Sequence, residues 1–187
     1  MHQILDSQKE ERIVPLFRLG FRPFFLLGAL FSCLAMLGWL GQLNGWLALP
    51  GIGNPVWWHA HEMLFGFGAA IVAGFLLTAV PEFTGLPSIP RRRLHVLVAL
   101  WLGGRLAFTF SGALTAWPAA LCDLALLLTL IASVAGPLWR QPDRRHVAFI
   151  YNLLALLAVQ RHDALVGLLA GLAVLGVERD DAAALAA

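Results

Sequence analysis

The sequence predicts an all-α polytopic transmembrane helix bundle of about six spans with a cytoplasmic N-terminus. Three observations predict it. Of 187 residues, 59% are hydrophobic and 13% charged, with a mean hydropathy of +0.76, whereas soluble domains run near half apolar and a quarter charged. The apolar residues gather into long uncharged runs. The basic residues other than Arg105 and Arg161 fall before the first run, between alternate runs and after the last. A net charge of +2 gives no argument for a nucleic-acid partner.

Residues 1–20 are polar and charged and lack the apolar core of a cleavable leader, so they are expected to form a cytoplasmic segment. The membrane bundle is expected over 21–177. Its first four spans are about Phe21–Leu43, Trp57–Val80 (ending at Pro81), Leu94–Ser111 and Ala116–Trp139. At ~1.5 Å per residue each reaches roughly 27–36 Å, enough for a hydrocarbon core of about 30 Å. Val147–Gln160 and Ala164–Val177 have fourteen residues each and reach only about 21 Å. They are expected to form a short helical hairpin, with a re-entrant pair as the alternative. Residues 178–187 form a tail. Cys33 and Cys122 lie inside apolar runs and read as small buried hydrophobes, not as a disulfide.

The distribution of positive charge sets the orientation. Lys9, Arg12, Arg18 and Arg22 precede span one; Arg91, Arg92 and Arg93 separate spans two and three; Arg140, Arg144 and Arg145 follow span four; Arg179 follows span six. The connections at 44–56 and 112–115 carry no charge. A cytoplasmic N-terminus therefore places all of the 13 basic residues except Arg105 and Arg161 on the cytoplasmic side.

That orientation gathers the ionisable groups of the spans toward the outer side: His59, His61 and Glu62 at the start of span two, Arg105 late in span three, and Asp123 early in span four. Arg161 and His162 sit at the outer mouth of span five. Intramembrane charge is expensive and faces a partner or a cavity, so the cluster is a candidate site. The plainer reading is that Arg105 and Asp123 pair to hold spans three and four together. Trp57 and Trp58 read as an interfacial aromatic belt, and Arg91–Arg93, His95 and His146 as solvated inner-end residues.

Helical geometry sharpens the WWHAHEM segment. At about 100° per residue, His59 and His61 point about 160° apart and cannot serve one metal from a regular helix. His59, Glu62 and Met63 share a face that continues through Gly66, Ala70 and Gly74, a small-residue stripe suited to close helix approach. His61 faces another neighbour, beside Phe65 and Gly68. Imidazole is a natural ligand for haem iron and copper. Two opposed histidines suit two centres, or one centre and one hydrogen-bonding role.

The stretches LFRLGFRPFFLLGAL, WWHAHEMLFGFGAAIVAGFLLTAVPEFTG and LWLGGRLAF resemble the N-terminal half of the NnrS family, from about Leu16 to Ala107 and more loosely through span four. Glu82–Phe83 departs from an Asn-Trp pair common in that family. The resemblance implies a multi-pass bacterial inner-membrane protein containing haem and copper. It also implies a role in the nitric oxide response and protection from nitrosative stress, often beside denitrification functions. Carried over residue by residue, the cofactor-binding candidates are His59, His61, Arg22 and Arg105. The metal candidates are His59, His61 and Glu62, with Asp123 as a further buried polar group. Family members are expected to be about twice as long, with a second Gly-Gly-Arg segment. The chain is accordingly expected to be truncated, its partners being nitric oxide or a related small molecule, the lipid bilayer, and a missing C-terminal half or an oligomeric partner.

A rival from another class is a transporter or proton channel using Glu62, Arg105 and Asp123 as a relay; a third reading is an inactive fragment. No nucleophile–base pairing, phosphate loop or dinucleotide fingerprint assigns an enzymatic reaction.

Overall fold

The computed structural model describes residues 15–17, 19–48, 55–110, 116–141, 144–162 and 164–165. Among these there is no strand. Four helices are long and apolar enough to cross a membrane: α1 (Phe21–Leu43), α2 (Pro55–Thr84), α3 (Arg91–Phe110) and α4 (Ala116–Trp139). A fifth helix, α5 (148–162), follows a short 3-10 turn at Arg144–Val147. Its fifteen residues reach about 22 Å. The count of long apolar helices is therefore slightly below the expected six. The sixth expected span lies, apart from residues 164–165, outside the described residues, as do residues 1–14 and the tail.

Each helix follows one of the apolar runs, and its ends follow local chemistry. Helix α2 continues past Pro81, where the sequence suggested a stop. A proline inside a membrane helix removes one donor without ending the helix, because neighbouring helices and hydroxyl side chains re-satisfy the freed groups. The carbonyl left without its usual donor is that of Leu77, four residues before Pro81; Thr84 Oγ1 adds a separate bond to the Val80 carbonyl at 2.8 Å. The true terminator is Gly85, whose φ of 66° turns the chain out in the left-handed region and returns its N–H to the Pro81 carbonyl. Helix α3 starts at Arg91 because the Pro90 carbonyl accepts from both Arg93 and Leu94 N–H groups. Its first turn carries Arg91–Arg93, all exposed.

Two intimate pairings build the bundle, α1 with α2 and α3 with α4, and α2 also packs on α4. The small-residue stripe of α2 lies against α1: a Cβ at Gly74 would fall 2.8 Å from the Phe25 ring, so glycine there sets the closeness of approach. Opposite that contact, Leu26, Leu30, Leu34 and Leu37 of α1 are exposed, a stripe at helical spacing suited to acyl chains. Inside, Phe24, Ala73, Leu97 and Leu130 belong to the larger apolar core, and Ala35, Trp58, Phe108 and Ala119 form a second, smaller one.

One segment breaks the regular pattern. Glu62–Gly68 of α2 is a π-helix, seven residues whose hydrogen bonds close over five positions instead of four. Its widened turn faces α1 and α3 and carries the polar residues described next.

Candidate functional site: a buried carboxylate–guanidinium–carboxylate cluster

A charged side chain in an apolar helix must find its counter-charge inside the bundle, because lipid supplies none. Arg105 finds two. Its Nη1 donates to Glu62 Oε2, and its Nη2 donates to both Asp123 oxygens at 2.5 and 2.6 Å. The guanidinium thereby ties α2, α3 and α4 together through one planar fork, the geometry that distinguishes arginine from lysine. All three residues are nearly inaccessible: Glu62 is 0%, Asp123 1% and Arg105 3% exposed. The Arg105 guanidinium carbon also lies 6.0 Å from the centre of the Phe31 ring of α1, at the outer range of a cation–π contact.

The cluster lies about 8–11 Å from the helix ends at Phe110, Ala116 and Pro55, counted along each helix. The smaller apolar core around Trp58, Phe108 and Ala119 closes it from that end, and the larger core lies on the other side. Space there is set by two glycines. A Cβ at Gly66 would run into Phe31 and lie 2.7 Å from Glu62 Oε2, and one at Gly104 would lie 2.7 Å from Asp123 Oδ1. The π-helical turn is pinned from α3 as well: Trp101 Nε1 donates to the Gly66 carbonyl at 2.8 Å.

The two histidines occupy different surroundings. His61 is buried, stacked on Phe108 with centroids 4.0 Å apart and flanked by Trp57 and Phe65. Its Nε2 stands 3.9 Å from Asp123 Oδ2, within ion-pair range and beyond a hydrogen bond. Gln160 of α5, 2% exposed, approaches His61 as well. His59 is half-buried and stacked on Trp39 of α1, centroids 4.1 Å apart. So His59 addresses α1 while His61 addresses α3.

Sequence geometry put Glu62 on the side of His59; the structure joins Glu62 through Arg105 to Asp123, and so to His61. The difference arises because Glu62 opens the π-helical turn and because the long arginine side chain reaches across to it. Arg22 is not part of this assembly. It lies at the opposite end of α1, about 25 Å along the helix from the Trp39 level. Arg161 and His162 are exposed at the end of α5. Trp39, Trp101, Phe108 and Gln160 were not singled out by sequence. Aromatic residues are abundant in these runs, and nothing local distinguishes a partner ring from a lipid-facing one.

Residues able to hold a metal or haem can be tested on donor chemistry. His59 Nδ1 and His61 Nδ1 are both buried and have no hydrogen-bond partner among the described residues. A haem iron can be held by a single imidazole, and either nitrogen fits that need. Among the described residues no group of three or more His, Cys, Asp or Glu is placed to hold a metal ion. The carboxylates that would complete one are engaged by Arg105.

No curated protein and no solved structure matches the chain. The family described as NnrS protein matches residues 15–184, beyond the Leu16–Ala107 stretch in which the sequence likeness is most evident. With four membrane-length helices, a histidine pair on α2 and a family match over most of its length, this chain is a multi-pass membrane protein that belongs to the NnrS family.

Proposed function

We propose that this chain is a bacterial inner-membrane protein that binds haem and copper and serves the nitric oxide response, limiting nitrosative stress. Family membership supports the cofactors and the process. The observation that carries the reading onto this chain is the pair of buried imidazole nitrogens, His59 Nδ1 and His61 Nδ1, left without hydrogen-bond partners among the described residues, beside a cluster whose carboxylates are engaged by Arg105. An imidazole nitrogen kept dry and unbonded suits coordination. Either histidine would hold a haem iron. Copper would take at most one imidazole from each surrounding and complete its ligand set from elsewhere. Bound haem and copper supply redox-active coordination chemistry toward a small gas.

The roles of the chain's own residues follow from their positions. Trp39 fixes the plane of the His59 ring, and Phe108 that of His61. Asp123, held by Arg105, stands 3.9 Å from His61 Nε2 and acts on that ring through its charge, not through a hydrogen bond. The test compares His59→Ala and His61→Ala in membranes at matched protein levels, reading the Soret band and copper content. Separable losses, one mainly of haem and the other mainly of copper, are expected. Unchanged content of both in both variants would reduce the histidines to an interfacial polar patch.

A second reading has its own observation. Glu62, Arg105 and Asp123 form a hydrogen-bonded buried line with His61 3.9 Å beyond its end, and lines of buried ionisable groups are used for proton relays. Against it, one guanidinium holds both carboxylates at once. Proton flux in proteoliposomes that is lost in Glu62→Gln, with haem content intact, would favour the relay.

A further inference from the structure

Between α1 and α3 lies an open groove of about 420 Å³, separate from the aromatic surroundings of either histidine. Its volume falls within the ~300–1,000 Å³ of small-molecule sites. The mouth is formed by Leu30, Leu34, Leu106 and Phe110, all exposed on the face expected to meet lipid. A molecule dissolved in the bilayer can therefore enter sideways without crossing water.

The interior is chemically more specific than its mouth. Phe31, Trp58 and Trp101 supply aromatic walls, which favour a flat ring over a flexible chain. Two donors are left over. Trp58, 3% exposed, keeps a buried Nε1–H, and Arg105, 3% exposed, keeps a buried Nε–H, each without an acceptor among the described residues. The third nearby donor, Trp101 Nε1, is already spent on Gly66. Buried donors without partners are rare and expensive in native structures, and in a groove open to lipid no bulk water meets them.

Charge narrows the ligand further. Arg105 already faces two carboxylates, so the cluster carries a formal excess of negative charge, and an anionic head is repelled. The complement to two N–H donors, aromatic walls and a negative background is a neutral planar ring bearing carbonyl oxygens on an apolar tail. We propose that the α1–α3 groove binds a membrane quinone, with a ring carbonyl accepting from Trp58 Nε1 or Arg105 Nε. The proposal is independent of the haem and copper reading, since the groove contains neither histidine, although it shares Arg105 with the ion cluster.

The full chain in phospholipid nanodiscs is photolabelled with an azidoquinone, and decylubiquinone serves as the competitor. Saturable labelling of peptides from α1 or α3 is expected, displaced by decylubiquinone but not by decanoate or decylbenzene. These two controls separate a carbonyl head from an anionic head and from a plain apolar body. Trp58→Phe keeps the aromatic wall and removes one donor, so decylubiquinone affinity should fall about fivefold to tenfold, the loss of one hydrogen bond. Leu102→Trp fills the groove from its lipid-facing side and should abolish labelling. Leu34→Trp serves the same purpose if the first variant loses its helical spectrum. Absence of saturable labelling overturns the proposal, as does equal displacement by decanoate or by decylbenzene. So does unchanged affinity in Trp58→Phe together with either filling variant.

Discussion

Arg105 and Glu62, 43 positions apart in sequence, meet as an ion pair at the first residue of the π-helical turn. The contact joins the irregular stretch of α2 to the middle of the bundle. Because both groups are almost fully buried, neither can turn to water if the other is removed. Arg105→Ala is expected to lose about 3–5 kcal/mol, the range for breaking a buried pair from one side. Glu62→Gln should lose far less, since the amide oxygen still accepts and Asp123 still holds the guanidinium. Thermal unfolding in detergent at matched lipid content reads both. Equal stability of Arg105→Ala and the parent would mean that the cluster does not hold the helices.

Two glycines test the same space from the opposite direction. Gly66→Ala and Gly104→Ala each push a methyl group toward a carboxylate oxygen of the cluster, and overpacking of this kind costs about 1–3 kcal/mol. Gly103, where an added Cβ would make only an ordinary 3.4 Å contact with Cys122 Sγ, is the control and should show no loss. A common response of all three would trace to helix propensity and not to the cluster.

Trp101→Phe isolates the bond that pins the π-helical turn. The ring remains to pack against Phe31, while the donor to the Gly66 carbonyl disappears. A stability loss of about 1 kcal/mol is expected, together with faster amide hydrogen exchange over 62–71. Exchange unchanged in that window would show that the turn holds itself.

Orientation in the membrane is testable by chemistry at two sites. In a background without Cys33 and Cys122, Trp46→Cys should react with an impermeant thiol reagent in intact cells, and Arg92→Cys should react only after lysis. Both positions are exposed, so neither result is confounded by burial. Labelling of Arg92→Cys in intact cells would reverse the bundle.

The four long helices were legible because the membrane imposes a length and a polarity on each run. Arg105 and Asp123 were legible as partners for the same reason: charges in adjacent apolar runs have few other places to go. Glu62 was visible as a buried acid and as a relay neighbour of Arg105, but periodicity by itself could only group it with the face of His59. No residue pattern announces a π-helical turn, and the two side chains that bond to it, Trp101 and Arg105, come from another helix. Pro81 misled for a related reason, since its usual helix-breaking force is measured against water, and Gly85 ends the helix instead. Gln160 was invisible because the fifth run is short and the residue sits at its end, where a polar side chain reads as the start of a loop.

The wider hydrogen-bond spacing over Glu62–Gly68 means that the two ends of α2 are out of phase by comparison with a continuous α-helix. The lower part, with Ala70 and Gly74, is locked in register against α1. The upper part, with His59 and His61, takes its rotational setting from the turn and not from that lock. Deleting one residue within 62–68 would therefore act as a gear change. The glycine contacts would survive while each histidine swung about a hundred degrees toward a new neighbour. Helix packing and histidine aim can thus vary separately in this chain, and the π-helical turn is the joint between them.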